Sequence, residues 1–211
     1  MIKIFGFGTL VLLESALQTC PNLKNFEPAM VKNAARVFGK VNLRAAHRGD
    51  VNWESMEVAS CFLEDMAGHD TIGVCFDIPV DEWPLMRARE IDYDCRKIEI
   101  FDLKGNSKGH AITFYGFDND DAFMSQLNDG DHEYLRSRRG HYQGNMYRDG
   151  IYPGEDYLQK CFRAHHQSGA LLRENFLDHS LLSDRTTTMR AYLDTKTWDD
   201  MFIKTGKMPD G

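Results

Sequence analysis

The sequence lacks an excess of positive charge, and this absence excludes a large class of partners. Its 211 residues include 25 Lys and Arg against 32 Asp and Glu, which gives a net charge of −7. A nucleic-acid-binding surface or a surface for anionic membranes would need a cluster of basic residues. We therefore expect neither a nucleic-acid partner nor a membrane partner.

Long hydrophobic runs and leader-like features are also missing. The apolar run Leu10–Leu13 is too short for a signal sequence or a membrane span, and residues 1–17 carry Glu14 and no basic stretch. The five cysteines are odd in number and widely spaced, with no Cys-x-x-Cys pair. This pattern is typical of reduced thiols in a cytosolic protein, so we expect a cytoplasmic location.

Motifs for nucleotides, metals and nucleophilic serines are absent as well. The segment Gly6-Phe7-Gly8 resembles part of a dinucleotide fingerprint, but the third glycine is missing. His165 and His166 are adjacent, so they face different sides of a helix and do not readily share one ion. There is no Gly-x-Ser-x-Gly elbow. We expect no cofactor and no metal.

Apolar runs in the first half predict short strands. The runs are Ile2–Phe7, Asn33–Leu43, Val58–Glu64, Thr71–Ile78, Ile98–Leu103 and Ala111–Phe117. The third and fourth runs flank Gly68-His69-Asp70, and this spacing predicts a hairpin. The last two flank a polar turn and predict a second hairpin.

Helical patterns dominate the second half. A short helical stretch over 79–89 ends at Glu90, and three more helices are predicted at Glu155–His166, Leu171–Leu177 and Thr187–Leu193. The acidic segment 118–121 is either a metal loop or a helix N-cap, and the cap is the commoner use of such residues. We predict a strand-rich unit over 1–120 and a loop with a helical extension over 121–211, packed on the same domain.

Two features carry candidate chemistry. The glycine turn at 6–8 either serves only to bend the chain or presents backbone N–H groups to an anion. Glu90 is either a solvated side chain or an acid–base group. An apolar setting made by Trp83, Leu85, Met86 and Tyr93 would raise its pKa toward the useful range, and a tyrosine hydroxyl could orient it.

Three segments together resemble the γ-glutamylcyclotransferase superfamily. Residues 4–10 (IFGFGTL) are similar to its opening strand and turn, and residues 36–38 (RVF) to its second strand. Residues 89–93 (REIDY), followed by a strand, resemble its Arg-Glu-x-x-Tyr segment. The tail, at 175–178 and 185–193, is similar to a helical extension found in one branch.

The resemblance implies an α+β fold: a small mixed β-barrel flanked by helices, with a helical C-terminal extension. It implies a small-molecule γ-glutamyl substrate and a catalytic acid–base role for Glu90. It also implies a pocket lined by Phe7, Gly8, Thr9, Leu10, Tyr93 and Tyr115. Phe7 stands where Tyr is usual and Thr9 where Ser is usual.

The resulting functional hypothesis is a cofactor-free γ-glutamyl cyclotransferase that releases 5-oxoproline. One alternative is a non-catalytic binding or regulatory protein on the same fold. Another is a related amide-forming or amide-cleaving enzyme for a larger substrate, whose entrance is shaped by 118–150. In that segment Arg136, Arg138 and Arg139 form either a contact for an acidic partner or a solvated loop. Whether the helical tail forms the interface of a homodimer is left open.

Overall fold

The computed structural model describes residues 1–126, 133, 137, 142 and 144–196. The strands are β1 Ile2–Gly6, β2 Lys24–Val31, β3 Ala34–Val41, β4 Glu57–Asp65, β5 Thr71–Ile78, β6 Asp94–Phe101, β7 Ser107–Tyr115, β8 Tyr152–Pro153 and β9 Ser180–Leu182. The α-helices are α1 Leu13–Leu17, α2 Leu43–Arg48, α3 Trp83–Arg89, α4 Asp120–Ser125, α5 Glu155–Gln167, α6 Ala170–His179 and α7 Met189–Leu193. Short 3-10 helices span Thr9–Val11 and Val80–Glu82.

Five strands close into a barrel in the order β1-β5-β2-β6-β7. The neighbours are antiparallel except where β7 meets β1, which it joins in parallel at Ile112 opposite Ile4. Closure removes the free edges that an open sheet of this size would leave. The prediction of an α+β fold built on a small mixed barrel with flanking helices is confirmed.

The remaining strands extend the sheet beyond the barrel. β4 joins β7 in parallel, β3 pairs antiparallel with β4, and β9 runs parallel to β3. The predicted hairpin between Val58–Glu64 and Thr71–Ile78 is wrong, because β5 lies between β1 and β2 inside the barrel while β4 lies outside it. The second predicted hairpin is confirmed as β6 and β7, with Ile98 opposite Ala111.

The helices follow the sequence pattern closely. The helix predicted over Glu155–His166 is confirmed as α5, and the acidic segment at 118–121 begins α4, whose Asn119 side chain accepts a hydrogen bond from the Ala122 N–H at 2.9 Å. No helix in the described part of the chain is long and apolar enough to cross a bilayer. All five cysteines are free thiols.

A fully buried arginine fixes the helical tail to the barrel. Arg36 on β3 donates from Nε to the carbonyl oxygen of Phe7 at 2.8 Å and from Nη1 to Oδ1 of Asn175 on α6 at 3.0 Å. It also donates to the carbonyl oxygen of Ile72 on β5. Burial lowers the pKa of Arg36 to about 10. One guanidinium therefore links the glycine turn, two strands and the tail.

Candidate functional site

The turn after β1 leaves backbone donors unused. A Cβ on Gly6 would lie 2.7 Å from the Leu10 Cβ, so only glycine permits this close approach. The chain then enters the 3-10 helix, where the Val11 N–H reaches the Gly8 carbonyl oxygen at 3.2 Å. Within the described residues, the N–H groups of Gly8, Thr9 and Leu10 donate no hydrogen bond. Such consecutive free N–H groups suit an anion or a carbonyl oxygen.

Glu90 terminates α3. Its N–H donates to the Met86 carbonyl oxygen at 3.0 Å, and its own carbonyl oxygen accepts from the Tyr93 N–H at 3.1 Å. The carboxylate Oε1 accepts from Arg89 Nε at 3.1 Å, whereas Oε2 has no hydrogen bond to any described residue. The side chain is 14% exposed. Burial raises the pKa of Glu90; Arg89 opposes this shift and Asp92 adds to it.

Arg89 joins the glycine turn to Glu90. Besides its contact with Glu90, it donates from Nη2 to the Thr9 hydroxyl at 3.0 Å and from Nη1 to the Thr19 hydroxyl at 2.7 Å. Further hydrogen bonds reach the carbonyl oxygen and hydroxyl of Ser15 on α1. Because its donors are all engaged, Arg89 holds the turn and the carboxylate in a fixed relation.

Two adjoining cavities lie beside this arrangement. The smaller, ≈ 30 Å³, is called the inner cavity and is lined by Phe7, Gly8, Thr9, Leu10, Cys61, Glu90, Tyr93, Phe114 and Tyr157. The larger, ≈ 520 Å³, is called the outer cavity and shares Thr9, Glu90, Tyr93 and Tyr157 with the inner one. The structure thus brings the glycine turn next to Glu90 and Tyr93, which come much later in the sequence.

Tyr93 is in the pocket but does not orient Glu90 through its hydroxyl. That hydroxyl donates to the Cys61 carbonyl oxygen at 3.1 Å and lies 3.4 Å from the Ser60 hydroxyl. The ring carries the ammonium group of Lys40 at 4.4 Å from its centroid. The orientation of the Glu90 carboxylate comes from Arg89 instead.

Tyr115 does not lie with the other predicted pocket residues. It lines a separate cavity of ≈ 480 Å³, called the Tyr115 cavity, together with Asp65, Arg96, Tyr147 and Arg185 among others. Successive side chains of a strand point to opposite faces, so it is Phe114 that reaches the inner cavity and Tyr115 that points away. The expectation for Tyr115 is corrected by this alternation.

The described part of 118–150 also lines the Tyr115 cavity. Asp118, Tyr147, Arg148 and Asp149 belong to its lining, and none of them lines the inner or outer cavity. The predicted role of this segment at the entrance of the Glu90 pocket therefore has no support in its described residues. The patch of Arg136, Arg138 and Arg139 lies outside the described residues.

Sequence reasoning missed several residues of the pocket. Lys40 on β3 and Asp92 form a buried ion pair beside Glu90, with side chains 2% and 12% exposed. The detectable signal was a lysine in a strand whose other residues, except Arg36, are apolar or small, since such a charge is seldom buried without a partner. Tyr157 on α5 has its hydroxyl 3.3 Å from Cys61 Sγ. Its helix and the packing of the helical extension on the same domain were predicted, but the contact of this helix with β4 was not.

Cys61 and Tyr157 form the back of the inner cavity. A Cβ on Gly8 would lie 3.2 Å from the Tyr157 hydroxyl and 3.6 Å from Cys61 Sγ. Hydrogen bonding by Cys161 and Tyr157 lowers the pKa of the Cys61 thiol, while burial raises the pKa of Tyr157. In the described ranges, no group of three or more His, Cys, Asp or Glu side chains is arranged to hold a metal ion.

Comparisons with known proteins find similarity in structure only. No family model and no curated protein matches the sequence. A solved structure called a gamma-glutamyl cyclotransferase matches 68% of this chain and 91% of its own, at 12% identity and a TM-score of 0.44. An uncharacterized human protein covers the same shares at 13% identity and a TM-score of 0.45.

A yeast structure covers a larger share of this chain. It is described as a gamma-glutamyl cyclotransferase specific to glutathione, and it matches 82% of this chain and 94% of its own, at 15% identity and a TM-score of 0.47. At such low identities, the chemistry of this chain has to be judged from its own site.

Proposed function

We propose that the protein is a cofactor-free γ-glutamyl cyclotransferase with Glu90 as the general acid–base group. The observation that supports this most is the shared inner cavity of Glu90 and the Gly8–Leu10 turn, which combines an accessible carboxylate oxygen with unused backbone donors. The expected partner is a small γ-glutamyl compound, and the expected location is the cytoplasm.

In the proposed reaction, the Glu90 carboxylate first accepts a proton and later donates it. The α-ammonium group of the substrate first loses one proton to solvent; the resulting amine attacks the γ-carbonyl carbon of the same molecule, and Glu90 takes the second proton that the attacking nitrogen loses. A C–N bond forms to close the five-membered ring of 5-oxoproline, and the original amide C–N bond breaks. Glu90 then gives the proton to the leaving nitrogen. The raised pKa of Glu90 suits both steps, because burial makes its carboxylate a stronger base and lets the protonated form persist until it donates to the leaving nitrogen.

The glycine turn would supply geometry and charge stabilisation. Backbone N–H groups at Gly8, Thr9 and Leu10 could hold the γ-carbonyl oxygen and stabilise the negative charge that develops on it. Confinement of the γ-glutamyl group between the turn and Glu90 favours its folded form, which brings amine and carbonyl together. Thr9 contributes its hydroxyl to Arg89, so this hydroxyl has a structural role.

A panel of γ-glutamyl compounds tests the proposal directly. The purified protein is incubated with γ-glutamyl amino acids, peptides and amines, and the release of 5-oxoproline is measured against the uncatalysed rate. We expect turnover of at least one member. If every member is bound or ignored without 5-oxoproline being formed, the proposed activity is wrong.

A second candidate is a binding protein that retains the γ-glutamyl pocket without turnover. The observation that favours it is the contact between Arg89 and Glu90, since the adjacent guanidinium opposes the rise in the pKa of the carboxylate that burial causes. Calorimetric binding of a γ-glutamyl compound, combined with no formation of 5-oxoproline, would favour this candidate over the enzyme.

A further inference from the structure

The outer cavity is positively charged although the protein as a whole is acidic. Its lining includes six Lys and Arg side chains and three carboxylates, an excess of three positive charges in a chain whose net charge is −7. A concave site of one sign concentrates ligands of the opposite sign. This local inversion of charge is a feature that the proposed reaction at Glu90 does not itself require.

Two helices supply the positive charge on either side of the cavity. Arg44 and Arg48 are four residues apart on α2, and Lys160 and Arg163 are three apart on α5, so each pair shares one helix face. Asn42 caps the start of α2 by accepting a hydrogen bond from the Ala45 N–H at 3.1 Å. These four cationic side chains therefore project from two α-helices, α2 and α5.

Some of these cations have carboxylate partners and two do not. Lys160 pairs with Asp156 at 2.5 Å, and Arg48 pairs with Asp50 at 2.6 Å. The half-buried Arg44 donates from Nη2 to the Arg89 carbonyl oxygen at 2.5 Å, and within the described residues its Nε and Nη1 donate no hydrogen bond. Arg163 likewise has no carboxylate partner in that part of the chain.

We propose that the outer cavity binds a dicarboxylic leaving group, so that the substrate class is γ-glutamyl compounds of acidic amino acids such as γ-glutamylglutamate. This inference rests on the proposed function of the inner cavity. The two guanidinium groups without carboxylate partners, Arg44 on α2 and Arg163 on α5, match two carboxylates on the leaving part. Guanidinium groups recognise carboxylates by paired hydrogen bonds, which are stronger than neutral ones. The outer volume of ≈ 520 Å³ leaves room for an amino acid beyond the scissile amide.

Three substrates with increasing negative charge test the inference. They are γ-glutamylethylamine, γ-glutamylglycine and γ-glutamylglutamate, whose leaving groups carry none, one and two carboxylates. We expect kcat/KM to rise about tenfold with each carboxylate, the effect of one charge-assisted hydrogen bond. Equal values, or a preference for γ-glutamylethylamine, would overturn the inference and leave the proposed function intact.

Substitutions identify the groups responsible. Arg163→Gln and Arg44→Lys should each lower the ratio of kcat/KM for γ-glutamylglutamate over γ-glutamylethylamine by about tenfold. Arg163 is exposed, so its substitution leaves folding intact even where Arg44→Lys disturbs α3. Lys104→Gln, in the turn between β6 and β7, is the matched control and should leave the ratio unchanged. An unchanged ratio in Arg163→Gln would contradict the inference.

Binding without turnover separates this inference from the proposed function. Calorimetry on Glu90→Gln compares the Kd of γ-glutamylglutamate with that of γ-glutamylethylamine at two salt concentrations. We expect tighter binding of the dicarboxylate, weakened by added salt as screening increases. If the dicarboxylate binds tightly but the unaltered protein forms no 5-oxoproline, the function fails and the subsite stands. If the two bind equally, the subsite fails.

Discussion

The outer cavity and the Tyr115 cavity are nearly equal in volume, ≈ 520 and ≈ 480 Å³, and both are lined by arginines and carboxylates. In the Tyr115 cavity five of the seven charged lining side chains are in ion pairs. Arg185 contacts Glu64 at 3.2 Å and Asp149 at 2.5 Å, and Arg96 contacts Asp94 at 2.6 Å. Such half-exposed pairs satisfy each other and leave little capacity for a ligand.

The Glu90 side of the molecule has unused capacity instead. Among the described residues, the Gly8–Leu10 N–H groups, Oε2 of Glu90 and part of the Arg44 guanidinium carry no hydrogen bond. Volume and charge content alone therefore do not distinguish a reactive pocket from a surface cleft. A reactive pocket is distinguished by donors and acceptors that neighbouring residues hold in position but whose hydrogen-bonding capacity is unused.

The largest expected difference between the cavities is in the free energy of unfolding that is lost when one carboxylate of an ion pair is neutralised. Asp92→Asn leaves the buried ammonium group of Lys40 without its counter-charge, and we expect a loss of about 3–5 kcal/mol in the free energy of unfolding. Glu64→Gln, the matched change in the half-exposed pair with Arg185, should cost at most about 1 kcal/mol. Urea unfolding of both variants checks the contrast, and similar losses in the two would contradict it.

Occupation of the inner cavity by a methyl group should have the next largest effect. Gly8→Ala places a Cβ within 3.2 Å of the Tyr157 hydroxyl, in the space assigned to the γ-glutamyl group. We expect kcat/KM for 5-oxoproline formation to fall about 100-fold, the cost of a misplaced reactant. The thermal unfolding midpoint serves as the control for folding. Full activity in a folded Gly8→Ala protein would mean that the substrate does not use this space.

The two tyrosines sharpen the comparison further. Tyr157→Phe removes a hydroxyl from the back of the inner cavity, and we expect kcat/KM to fall about 2- to 10-fold, the value of one neutral hydrogen bond. Tyr115→Phe makes the same change in the other cavity and should leave kcat/KM unaltered. A larger effect from Tyr115→Phe would reverse the assignment of the two cavities.

The smallest expected effect is a displacement of the pH profile. The ionised form of Glu90 must accept the proton, and burial raises its pKa, so activity should fall as the pH drops through a value above that of an ordinary glutamate, about 4.3. The acid limb of kcat/KM against pH measures this value. A limb at or below about 4.3 would show that burial does not tune this carboxylate.

Local patterns in the sequence were sufficient for most elements of the fold. The apolar run over residues 34–41, the polar β6–β7 turn and the helical period of α5 each predict an element from residues that are near in sequence. The strands with which β4 and β5 each pair could not be predicted in this way. Both are apolar runs next to a glycine turn, and only closure of the barrel decides that β5 joins β1 and β2.

The parts of the candidate site that could be predicted are those marked by local features of the sequence. Glycines mark the turn, and Glu90 stands out at a helix end next to a strand. Lys40, Asp92 and Tyr157 converge from different elements, so their proximity depends on tertiary packing. The error at Tyr115 is a displacement of one residue along β7, which exchanges one face of the strand for the other.

The most direct test of the central claim compares Glu90→Gln with Glu54→Gln, the same chemical change at an exposed glutamate outside the cavities. The release of 5-oxoproline from the best substrate of the panel is measured for both variants and for the unaltered protein. We predict a loss of about 10²–10⁴-fold in Glu90→Gln, the usual range for a general acid–base group, and full activity in Glu54→Gln. Equal rates in the three proteins would contradict the assignment of Glu90 as the group that moves the proton.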